Sequence, residues 1–151
     1  MQNTELKQNL IDTDSHLKYL LANSKTIAII GCSSNPGRTS RRIAGYLKKS
    51  GFNIIPVNPN EDRILGEYVY NSIEDVPDNI RIDIVNIFRN KKYTAGMVKE
   101  IVNRFNNAVN KPLIWTQLDV SSTKAKEMAL QNDFQYVENR CIYVDHKELV
   151  K

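Results

Sequence analysis

A chain of 151 residues has the length of one domain and can bury a hydrophobic core without disulfides or metal staples. Its apolar and charged fractions, 41% and 25%, are those of a globular protein. With neither an apolar signal-peptide core nor a run long enough to span a bilayer, it reads as cytoplasmic with no membrane partner. The net charge of +4 is dispersed and not gathered into a basic run interleaved with aromatics, which argues against nucleic acid and suits a small polyanionic ligand.

Across residues 4–23, Leu6, Leu10, Leu17, Leu20 and Leu21 recur near helical spacing, with a break at 12–14. This predicts an N-terminal helical segment, residues 1–24, packing on a domain of residues 25–151. Residues 26–30 form an apolar, β-rich run ending at Gly31, the pattern of a strand buried on both faces of a parallel sheet. Ile43, Ala44 and Leu47 then mark a helix over 39–50, stopped by Gly51. A second strand covers 53–57 and ends at Asn58 and Pro59. Residues 66–75 read as a short strand or turn leading into a small helix that stops near Pro77, and 82–88 as a further strand. Met97, Val98, Ile101, Val102 and Phe105 mark an amphipathic helix, 112–118 a strand, and 121–132 a helix with Ser121 or Ser122 as N-cap. Alternating strands and helices predict an α/β, Rossmann-like, doubly wound and mainly parallel sheet with helices on both faces. Ligands are expected at the carboxyl ends of its strands.

The 31–40 loop leads from a buried strand straight into a helix start. There about four backbone N–H groups lack helical partners and the helix dipole favours an anion, so the segment is read as a phosphate site. Gly31 lets the backbone come close, while hydroxyls and the cations Arg38, Arg41 and Arg42 occupy the same stretch. The alternative is a plain turn whose Ser33, Thr39 and Ser40 only cap the helix. The loop lacks the spacing of the dinucleotide fingerprint, and Gly37 precedes Arg38 where a P-loop needs lysine, which disfavours ATP hydrolysis. The second strand ends in Val57, Asn58 and Pro59 without the carboxylate that holds an NAD ribose, so a ligand with a phosphorylated ribose, coenzyme A or NADP, fits better.

These residues resemble the small stand-alone CoA-binding proteins related to the nucleotide-binding domain of the succinyl-CoA synthetase α subunit. The resemblance rests, in chain order, on Gly31, Ser33, Pro36, Arg38 and Ser40; on Val57-Asn58-Pro59; and on Gly66, Tyr70, Ser72, Ile73, Asp75, Val76 and Pro77. It continues through Phe88-Arg89, Trp115 with Gln117, and Asn139-Arg140-Cys141. It implies a Rossmann-like fold that binds coenzyme A, with Gly31, Ser33, Pro36, Arg38 and Ser40 around the pyrophosphate and Val57, Asn58 and Pro59 beside the adenosine. Phe88 and Arg89 would lie over the ligand, Trp115 and Gln117 would end the fifth strand, and Asn139, Arg140 and Cys141 would close the site. Two positions depart from the family pattern: Lys92 replaces a common glutamate, and Asp119 a usual glycine.

Cys32, in the same loop, is either a small buried hydrophobe or a thiol activated by the helix N-terminus; Cys141 sits beside the cation Arg140. Trp115 and Phe88 read as partly core, with stacking on the ligand the alternative. His16 and His146 show no triad or metal spacing, so no metal site is assigned. The expected function is binding of coenzyme A or an acyl-CoA without catalysis. An NAD(P)-dependent oxidoreductase or redox sensor is the second reading, and a cofactor-responsive regulatory subunit the third.

Overall fold

The computed structural model describes residues 8–151; the part of the N-terminal helical segment that falls on residues 1–7, Leu6 included, lies outside them. In chain order the elements are α1 (Asp14–Ala22), β1 (Thr26–Ile30), α2 (Thr39–Lys49), β2 (Asn53–Val57), β3 (Arg63–Ile64), β4 (Glu67–Tyr68) and a 3₁₀ turn (Ile73–Asp75). They continue with β5 (Ile84–Ile87), α3 (Lys91–Phe105), β6 (Leu113–Thr116), α4 (Thr123–Gln131), β7 (Tyr136–Val137) and α5 (Ile142–Leu149). Five strands form one parallel sheet in the order β2-β1-β5-β6-β7, and β3 and β4 form a separate antiparallel hairpin. The fold is Rossmann-like α/β.

Alternate residues of each strand feed two apolar layers, because successive side chains point to opposite faces. Ile27 and Ile29 of β1 join Ile54, Ile84, Trp115 and Val137 beneath Leu17 and Leu21 of α1, Ile43 and Leu47 of α2, and Ile142 of α5. Ala28 and Ile30 join Val57, Val85, Ile87 and Ile114 beneath Val98, Ile101 and Phe105 of α3 and Ala125 and Ala129 of α4. Burial on both faces explains the unbroken apolar strand sequences.

Helix starts follow local capping chemistry. Thr13 accepts a hydrogen bond from the His16 amide, Asn90 from Lys92, and Ser122 from Ala125. The Asn90 cap starts α3 at Lys91, six residues before the apolar spacing begins at Met97; its first turn is largely exposed and carries no apolar stripe. α5 and the two-residue β7 leave a similarly weak pattern.

From β1 the chain runs outward to β2 and then returns to β5 on the other side of β1. The direction of winding therefore reverses between the carboxyl ends of β1 and β5, where open α/β sheets form a crevice. Gly31 ends β1 at that point with φ +81°, and its amide donates to Val57 O at 2.9 Å. A Cβ at Gly31 would stand 2.1 Å from Phe88 O and 3.0 Å from Arg89 Cδ, so glycine is required by both backbone angle and space. Gly51 also has positive φ but nothing within 4 Å of a built Cβ. Gly31→Ala is therefore expected to destabilise the fold by roughly 3 kcal/mol or more and Gly51→Ala by about 1–2 kcal/mol, measured by chemical denaturation.

On α5, His146 is buried, shares a 2.8 Å hydrogen bond between Nδ1 and the Tyr46 hydroxyl, and packs edge-on against Phe52. Burial, and then the Lys151 ammonium, hold its imidazole below the ordinary 6.5. The folded state thus binds fewer protons at this site than the unfolded chain. The stability it contributes is complete above pH 6.5 and falls as the pH drops through that value toward the lowered folded one. Unfolding free energies at about pH 8 and about pH 5 should differ in that direction, and His146→Gln should flatten the difference.

Candidate nucleotide-binding cleft

The 31–40 loop is held by its own hydrogen bonds. The Ser33 amide donates to Ser40 Oγ at 3.1 Å, Asn35 to Ser33 Oγ at 3.0 Å, Gly37 to Asn35 Oδ1 at 2.9 Å, and Arg38 to Asn35 O at 3.0 Å. Ser40 is thus a brace for the loop and does not cap the helix. Arg38 occupies the N-cap of α2 without a side-chain cap bond, and the first helical bond runs from Arg42 N to Arg38 O. The amides of Thr39, Ser40 and Arg41 are left without helical partners at the positive end of the dipole.

This helix start opens into a cleft of two compartments at the switch point. The larger, about 750 Å³, is lined by Gly31, Ser33, Arg38, Ser40, Phe88, Arg89, Gln117 and Cys141, together with Gly37, Thr39, Asn90, Leu118 and Val120. The smaller, about 280 Å³, is lined by Val57, Pro59, Ser72, Ile73, Met97 and Glu100, with Ile30 and Asn71, and shares Gly31 and Arg89 with the larger one. Arg89 stands between them, its guanidinium 4.9 Å from the Tyr93 ring centroid and its buried Nε without a hydrogen-bond partner.

Five of the residues expected at the ligand line neither compartment. Cys32 is fully buried in the core, and burial pushes its thiol up to about 11, the reverse of activation by a helix N-terminus. Pro36 is exposed in the loop but lines neither compartment. Asn58 donates from Nδ2 to Cys32 O at 2.8 Å and accepts from the Asn60 amide, tying the turn after β2 to the loop after β1. Asn139 has φ +56°, and its Oδ1 accepts from the Asp119 amide. The Arg140 guanidinium makes a paired contact with Asp145, 2.7 and 3.0 Å, and reaches Asp14 of α1 at 3.0 Å, so its charge is engaged by these two carboxylates.

The C-terminal segment is fixed to the end of β6. Trp115 is fully buried, so stacking on a ligand is closed to it, and its Nε1 donates to Arg140 O at 2.8 Å. Thr116 Oγ1 donates to Val137 O, and Gln117 Oε1 accepts from both Asn86 Nδ2 and the Ile142 amide. This anchors the start of α5, whose N-cap Cys141 makes no side-chain cap bond and lines the cleft. Asp119, where a glycine is usual, has φ +57°, a left-handed angle that glycine adopts without strain; its carboxylate is 3.7 Å from Lys91 Nζ. Lys92 lies in the first turn of α3 against Tyr93.

The composition signals did not point to Leu118, Val120, Met97 or Glu100. Ser72 and Ile73 belong to the quoted motif, and tertiary contacts bring that segment to the cleft: the bridge between Val57 and Tyr70 and the hydrogen bond from Ser72 to Glu100 of α3. Among the described residues no cluster of His, Cys, Asp and Glu could hold a metal ion, and no helix is long and apolar enough to cross a membrane.

Residues 25–147 match the family described as a CoA binding domain. The uncharacterized protein YneT of Bacillus subtilis is 31% identical over 132 residues, which are 87% of this chain and 93% of that protein. A stretch of 65 residues is 42% identical to the ADP-forming acetate–CoA ligase II of Archaeoglobus fulgidus, spanning 42% of this chain but 10% of that enzyme. A solved structure, a hypothetical protein from Pyrococcus horikoshii OT3, aligns with a TM-score of 0.84 and 28% identity over 93% of this chain and 94% of its own.

The two cysteines are expected to separate cleanly in a thiol titration. Cys141, half-buried at the cleft, should react in the native protein, whereas Cys32 should react only on unfolding. Cys141→Ser should abolish the native-state reaction.

Proposed function

Because the chain belongs to the CoA binding domain family, we propose that it holds coenzyme A or an acyl-CoA in the cleft at the switch point, with the pyrophosphate on the 31–40 loop and no reaction of its own. The observation that carries this reading is the start of α2: three backbone amides without helical partners, behind a loop already braced by internal hydrogen bonds, with Arg38 at the N-cap. A pyrophosphate there meets donors and positive charge that need no rearrangement. The larger compartment then suits the pantetheine arm, running past Phe88 toward Gln117 and Cys141. Its lining carries two arginines and a thiol and no histidine or carboxylate, which supports holding the ligand over transforming it. The likeness to a tenth of an acetate–CoA ligase supports the same ligand class.

Calorimetric titration should show coenzyme A binding in preference to NAD, NADP and ATP; equal affinities would overturn the proposal. Arg38→Ala should weaken coenzyme A binding roughly tenfold with little loss of stability, since Arg38 is exposed and a charge-assisted contact is worth about 1.5–3 kcal/mol before solvent screening.

A further inference from the structure

The smaller compartment adds apolar walls and a carboxylate to the Arg89 cation that it shares with the larger one. Val57, Pro59, Ile73 and Met97 give it apolar walls, and Glu100, one helical turn beyond Met97 on α3, puts a carboxylate into the lining. Ser72 fixes that carboxylate: its hydroxyl donates to Glu100 Oε1 at 2.5 Å while accepting from the Glu74 amide at 3.1 Å. Glu100 Oε2 engages no described residue. Arg89 gives the border with the larger compartment a cation suited to phosphate, and on the Glu100 side a flat heterocycle carrying an N–H donor would be matched by walls and acceptor together.

Resting on the proposed function, we infer that Glu100 is the specificity residue for the base, accepting a hydrogen bond at Oε2 from the exocyclic amine of adenine. Adenine suits the single free oxygen because its six-membered edge offers one donor group beside an acceptor. Guanine offers two adjacent N–H donors, which pair best with both oxygens of a carboxylate, and here Oε1 is held by Ser72. The ligand's direction follows: base against Glu100, phosphates past Arg89 at the α2 start, and the remaining arm in the larger compartment.

The test uses the full chain and titrates coenzyme A and the 3′,5′-bisphosphates of adenosine, inosine and guanosine into the wild type and Glu100→Gln. Inosine carries a carbonyl where adenosine has its amine and an N1–H where adenosine has an acceptor, so at the position of the amine it sets an oxygen against the carboxylate. The wild type should prefer adenosine to inosine by roughly tenfold, the effect of replacing a donor by an acceptor opposite Oε2. Glu100→Gln keeps an oxygen for Ser72 and turns an amide N–H₂ toward the base, so its preference should reverse toward inosine, a change that a merely structural role would not produce. If both proteins bind coenzyme A and show the same adenosine-to-inosine ratio, or if the wild type prefers guanosine, the assignment of Glu100 is wrong and coenzyme A binding stands. If the wild type binds no coenzyme A, the proposed function fails and this inference with it.

Discussion

The structure turns on how closely the end of β1 approaches the end of β5. At Gly31 the chain must take a left-handed angle and pass so near Phe88 O that no side chain fits between them. That approach brings the loop after β1 and the Phe88-Arg89 turn to the two sides of one crevice, and Arg89 bridges both of its compartments. Had the residue a Cβ, the two turns would have to part, and the helix start behind Gly31 would no longer share a cleft with the α3 side of the sheet.

Capping divides the helices by position. α1, α3 and α4 close their first turns with the side chains of Thr13, Asn90 and Ser122, whereas α2 and α5 begin at Arg38 and Cys141 without such caps. Both uncapped starts, like the Asn90 cap of α3, line the larger compartment. Each is steadied from beside the helix: Ser40 braces the loop before α2, and Gln117 accepts the first amide of α5. Rigidity is therefore supplied without consuming every donor, as the proposed pyrophosphate site requires.

The Asn139-Arg140-Cys141 stretch shows how adjacent residues of one motif can serve different ends. Asn139 holds the turn at Asp119, Arg140 joins α5 to α1 through Asp145 and Asp14, and Cys141 alone reaches the cleft. Family patterns record which residues matter together, and the neighbours of each side chain decide whether it shapes the fold or meets the ligand.

The strand and helix alternation was legible because burial on both sheet faces writes unbroken apolar runs and 3.6-residue stripes. The loop proposed to hold the phosphates was legible because it is local: a strand end, a glycine and a helix start lie within ten consecutive residues. Where side chains from distant segments compete for one another, the chain order is silent. Arg140 looks like a free cation beside a thiol until Asp14, far away in sequence, is seen to engage it. Cys32 looks poised at a helix start until the core closes over it. Glu100 is one polar residue on a helix until Ser72 and the turn after β2 enclose it in a compartment. Composition, periodicity and local turn chemistry thus determined the fold class and the place of the glycine loop that leads into α2. Which charges are neutralised, which thiol is reachable and where the second compartment lies were decided only by tertiary structure, since burial and partnership depend on atoms that the backbone brings together from far apart.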